Sequence, residues 1–121
     1  MTNADTPHRV EIAPNEHRLR VIHYGITIAD TTRGFTLRET GLPDVLYFPR
    51  EDVNMSRLRP SDYTTFCPYK GTATHFHLVT EEAGMVENVA WSYEDPLETA
   101  ARIKGCIAFY PARVEQIHQT S

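Results

Sequence analysis

The chain has 121 residues, of which 40% are hydrophobic and 23% charged, with a formal net charge of −4. That length supports one hydrophobic core and not two, and the acidic balance argues against nucleic acid, whose binders present a basic face. No run approaches the roughly 20 apolar residues of a membrane span, and Cys67 and Cys106 are too few for a disulfide scaffold or an all-cysteine zinc site.

Residues 1–7 are polar and end at Pro7, so a frayed start with no cleaved leader is expected before a single domain over residues 8–118. A reduced, cytoplasmic protein with two free thiols fits this composition. His8–Ile12 alternates like a strand and stops at Ala13-Pro14-Asn15. Leu19–His23 and Ile26–Ala29 read as a hairpin about Tyr24-Gly25. Phe35–Glu39 alternates again, and Val45–Phe48 is an apolar strand ended by Pro49.

Pro49-Arg50-Glu51-Asp52 is a charged turn with the composition of one helical turn. Val53–Leu58 reads as a strand closed by Arg59-Pro60-Ser61-Asp62. Tyr63–Phe66 then enters, and Ala73–Thr80 leaves, a tight turn at Cys67-Pro68-Tyr69-Lys70-Gly71. Met85–Trp91 is a further strand. Asp95-Pro96-Leu97-Glu98 has capping-box spacing, which predicts one helix running to Lys104 and stopped by Gly105. Cys106–Tyr110 and Arg113–Ile117 complete a mainly β chain of about nine short, mostly antiparallel strands with one short C-terminal helix.

Four groups carry chemistry. Pro68 shapes a turn that brings the Lys70 ammonium towards the Cys67 sulfur, and a nearby cation favours the nucleophilic thiolate. The plainer alternative is a buried cysteine acting as a small hydrophobe. Lys70 also occupies the place of the second sulfur in a C-x-x-C couple. The Arg50 fork suits a carboxylate or phosphate, with Asp52 to orient it; the alternative is a structural ion pair at the turn, which is the stronger reading for Asp52.

Trp91 and Tyr93, two apart, share a strand face and can stack on a flat ligand, with Tyr47 and Tyr69 as further walls. His75 and His77 also share a face, and the intervening Phe76 and Leu78 look like the buried set, which turns both histidines towards solvent or a cavity mouth. With no C-x-x-C or H-E-x-x-H nearby, no metal is assigned. No phosphate-binding loop, dinucleotide fingerprint or G-x-S-x-G elbow is present.

The blocks Tyr47–Val53, Thr65–Ala73, Trp91-Ser92-Tyr93 and Ile107–Tyr110, in this order, resemble the DUF427 family, and the resemblance runs from about Arg9 to Ile117. It implies a β-tent like that of Mss4-like proteins, methionine sulfoxide reductase B and the thalidomide-binding domain of cereblon, with an aromatic pocket between the two sheets of the tent. The zinc of those relatives rests on paired C-x-x-C motifs that this chain lacks, so neither zinc nor another cofactor carries over. The family's "nucleotidyltransferase-like" label implies a glycine–serine motif followed by paired aspartates, and that motif is absent too. His75 and His77 lie outside the family pattern.

The expected site is one small-molecule pocket lined by Arg50, Cys67, Lys70, Trp91 and Tyr93, with Asp52, Tyr47 and Tyr69 near it. Its occupant would be an unidentified planar or anionic molecule. The alternatives are a thiol enzyme with Cys67 as nucleophile or redox group and Lys70 as its activator, or a groove for a peptide or protein. Edge strands in so small a β protein also make a homodimer an expectation.

Overall fold

A computed structural model describes residues 7–121; the rest of the expected frayed start, residues 1–6, lies outside the described residues. Ten strands form three antiparallel sheets. They are β1 (Val10–Asn15), β2 (Arg18–His23), β3 (Ile26–Thr31), β4 (Gly34–Glu39), β5 (Val45–Tyr47), β6 (Leu58–Cys67), β7 (Gly71–Thr80), β8 (Gly84–Ser92), β9 (Ala108–Phe109) and β10 (Gln116–Thr120). The sheet orders are β1-β4-β5, β10-β2-β3 and β6-β7-β8-β9. The protein is mainly β, as its alternating runs predict.

The four-stranded sheet is covered on both faces. Neighbouring residues on its strands go to opposite cores: Ala90 and Phe109 join a cluster with Leu19, Val21 and Ile28 of the β10-β2-β3 sheet. Trp91 and Ala108 join Leu37 and Tyr47 of the β1-β4-β5 sheet in a second cluster. Period-two alternation therefore feeds two clusters rather than one core and a wet face. This is why His75, expected near solvent, is 1% exposed. Phe76 and Leu78 are buried as expected, but the opposite face is buried as well.

Local chemistry accounts for the connections. Tyr24 and Gly25 both take positive φ (48° and 79°), the geometry of a tight two-residue hairpin between β2 and β3. Gly34 allows close packing where the chain crosses between sheets, since a Cβ there would lie 2.7 Å from Leu19 Cδ1 and 3.0 Å from the Tyr47 carbonyl. Pro14 and Pro60 do not end strands as expected. They lie inside β1 and β6, both edge strands, where a missing N–H costs no ladder bond, and β6 bulges between Pro60 and Thr64. The Arg50–Asp52 turn is 3-10, with Pro49 at its N-cap.

The predicted C-terminal helix differs most. It is a 3-10 segment over Glu98–Ile103, broken at Ala100, and its N-cap is Leu97 with no side-chain cap. Asp95 does not cap it, because the backbone before it is docked on the β6–β7 turn. The Leu97 N–H donates to the Lys70 carbonyl at 2.9 Å, and the Thr99 hydroxyl donates to the Tyr69 carbonyl. Ala100 and Ile103, its two buried residues, are three apart, the eclipsed spacing of a 3-10 turn.

Candidate functional site

The turn at the end of β6 forms as its sequence dictates. The Lys70 N–H donates to the Cys67 carbonyl at 3.2 Å, and Gly71, at φ 109°, leads into β7. The Lys70 side chain runs inward. Its Nζ lies 2.5 Å from Glu39 Oε1, with both residues buried, and 5.8 Å from the Tyr93 ring centroid. The other Glu39 oxygen meets His8 Nε2 at 2.9 Å, and the His8 ring stacks on Tyr69 at 3.7 Å. Burial raises the pKa of the Tyr93 phenol, and the nearby Cys67 and Glu39 raise it further. Cys67 is half-buried and in no disulfide.

Beside this ion cluster is an aromatic wall. The Trp91 Nε1–H donates to the Tyr47 hydroxyl at 3.1 Å, while Tyr110 lies against the indole with centroids 4.4 Å apart. His75 Nε2 and the Tyr110 hydroxyl share a 2.9 Å hydrogen bond, and His75 Nδ1 has no protein partner among the described residues. Burial raises the Tyr47 and Tyr110 phenols and lowers the His75 imidazole.

Trp91 also borders a groove of about 420 Å³, walled by Val45, Leu46, Phe48, Phe109 and Ile117, with Asp44 also on its lining. The groove sits where the central sheet ends at β9 and the outer sheets approach through β5 and β10.

Of the expected site residues, Cys67, Lys70 and Tyr93 come together, Tyr69 stacks on His8, and Tyr47 joins Trp91. Arg50 and Asp52 are elsewhere. The Arg50 guanidinium donates to Glu94 Oε2 at 3.0 Å and to the Gly105 carbonyl at 2.9 Å, pinning the loop after Tyr93. It borders a separate cavity of about 490 Å³ with Arg33, Lys104 and Cys106, whose thiol burial pushes up to about 11. Asp52 accepts from Thr31 at 2.7 Å and from Arg33 at 3.1 Å. Among the described residues no three His, Cys, Asp or Glu side chains converge as a metal site, and no helix is long and apolar enough to cross a membrane.

The sequence reading missed Glu39, His8 and Tyr110, and weighed His75 only as a metal ligand beside His77. A signal for Glu39 existed: it follows Phe35 and Leu37 at period two, so it is a carboxylate at an inward position and needs an internal cation.

A family model described as a domain of unknown function, DUF427, matches residues 11–120. The chain belongs to the DUF427 family. No curated protein matches it. In this DUF427 protein the matched span holds the whole aromatic wall and both ends of the Lys70–Glu39 pair, while His8 precedes it.

Proposed function

We propose that this DUF427 protein is a non-catalytic binding module that seats a flat, mainly apolar small molecule in the groove beside Trp91. The observation that carries this is an apolar groove of about 420 Å³ with the indole on its wall, held by Tyr47 and Tyr110 so that little ordering remains to be done on binding. Lys70 and Arg50 are each committed to a carboxylate, so the proposal gives neither a part in the groove. Trp91 is the only tryptophan, which makes its emission a direct reporter. Flat apolar compounds should shift or quench it saturably, and Val45→Arg, which puts a cation in the groove wall, should abolish the response. A screen in which no compound alters Trp91 emission would refute the reading.

Thiol chemistry at Cys67 is the second reading, favoured by one observation: a half-buried sulfur close enough to Tyr93 to affect its phenol. The Lys70 ammonium faces Glu39 at 2.5 Å, which weighs against its serving the thiol. A Cys67→Ala variant that binds every hit of the Trp91 screen unchanged would separate the two readings.

A further inference from the structure

Seven large hydrophobic side chains stand exposed among the described residues, and Leu42 is the one that also lines the Trp91 groove. It is 57% exposed. An exposed leucine alone says little. This one adjoins an apolar hollow, with Pro43 beside it on the same lining. Whatever fills the hollow can displace water from a leucine that the fold itself leaves wet.

The backbone on either side of Leu42 is tied down. The Glu39 carboxylate is buried against Lys70, and the Glu39 carbonyl accepts the Leu42 N–H at 3.0 Å, closing a turn through Gly41 at φ 79°. Thr40 is bound twice to Arg9: its N–H donates to the Arg9 carbonyl at 3.0 Å, and its hydroxyl accepts the Arg9 N–H at 2.8 Å. On the far side Arg38 Nε donates to Asp44 Oδ2 at 3.3 Å, and Val45 enters β5. Only Gly41, Leu42 and Pro43 lie between those ties. A Cβ at Gly41 would meet nothing within 4 Å, so nothing packs against the tip of the turn on that side, and Pro43 restricts Leu42 to extended backbone. The Lys70–Glu39 pair thereby holds the base of the turn that presents Leu42 to the groove.

We infer that Leu42 is the lip of the Trp91 groove: its side chain closes on a molecule seated there and sets how long that molecule stays. This rests on the reading of the groove as a ligand site and adds the residue that closes it. A change of rotamer at Leu42 is enough, so β4 and β5 keep their register and the ties of Thr40 and Asp44 stay made.

The test uses the full chain with n-propylbenzene as the probe. A single phenyl ring does not absorb at the red edge of tryptophan, so Trp91 emission reads its binding. Leu42→Ala should weaken binding about fivefold, the scale of covering the exposed half of a leucine side chain, with the loss in the dissociation rate. Met85 is as exposed as Leu42, at 58%, and is off the groove lining; Met85→Ala should stay within about twofold of the wild type. Contact is read independently in Leu42→Cys with Cys67→Ala, where the remaining native cysteine, Cys106, is buried. Probe at a concentration that saturates the Trp91 response of this variant should slow the reaction of the introduced thiol with a chromogenic disulfide reagent several-fold. The inference is overturned, and the groove left standing, if Trp91 reports binding while Leu42→Ala loses no more affinity than Met85→Ala. An introduced thiol that reacts at one rate with and without probe has the same consequence. A wild-type Trp91 that does not respond to the probe defeats the inference and counts against the groove itself.

Discussion

The residues that matter most are those whose neighbours leave them no choice. Tyr47 is 1% exposed, and its hydroxyl takes the indole N–H of Trp91. Tyr47→Phe keeps the ring and strands that donor, so stability in urea should fall by about 1 kcal/mol, and Trp91 emission should broaden as the indole loosens. Lys70 and Glu39 are bound more tightly to each other. Lys70→Met leaves a buried carboxylate with only His8 beside it and should cost about 3 kcal/mol, whereas Lys70→Met with Glu39→Leu should recover most of that loss. If the two single losses simply added, the residues would not be acting as a pair. His75 gives a pH test. Burial lowers its pKa in the fold, so between that value and the ordinary 6.5 the unfolded chain binds a proton that the folded chain does not. Stability should therefore be full above pH 6.5 and decline as pH falls below it, by at most about 1.4 kcal/mol per pH unit from one proton. His75→Gln should flatten that slope in urea titrations at successive pH values.

At the scale of elements, the sequence was most legible where alternation and turn residues agree, as at Tyr24-Gly25, the Cys67–Gly71 turn and the strands about them. It misled where tertiary contacts overrode a local signal. Asp95-Pro96-Leu97-Glu98 carries capping-box spacing, yet docking of Leu97 and Thr99 on the β6–β7 turn starts a 3-10 segment later. The two descriptions predict different mutants. If Asp95 capped a helix, Asp95→Ala would cost about 1 kcal/mol; exposed and uncapping, it should change stability by less than about 0.5 kcal/mol. Gly71→Ala should do the opposite. At φ 109° a side chain is strained, and its Cβ would lie 3.4 Å from the Leu97 nitrogen in the docked segment, so a loss above about 1 kcal/mol is expected. Thermal melts of the two variants beside the wild type decide between the pictures. The pairing of Arg50 with Glu94 was illegible for a related reason: the partners are 44 residues apart, and no local pattern signals that distance.

For the whole molecule, the central sheet ties the two cores together. Ala90 and Trp91 are adjacent on β8 and enter different clusters, as do Ala108 and Phe109 on β9, and Tyr47 at the end of β5 and Phe48 just after it. No strand of the central sheet can lose one cluster and keep its register for the other, because the same backbone carries both side-chain sets. The two clusters should therefore unfold in one step, as small domains commonly do. Leu78 is fully buried in the first cluster, while Trp91 and Cys106 belong to the second. Leu78→Ala should cost about 2–5 kcal/mol through lost burial and the cavity left behind. The shift should register in full at the other cluster. Urea titrations followed by Trp91 emission, and by exposure of the Cys106 thiol in a Cys67→Ala background, should move to the same lower midpoint with unchanged slope. A Trp91 transition that stays in place while far-ultraviolet circular dichroism shifts would mean that the clusters are independent. The groove at β9 would then belong to one outer sheet alone, whereas coupled clusters make its two walls, β5 and β10, parts of one cooperative unit.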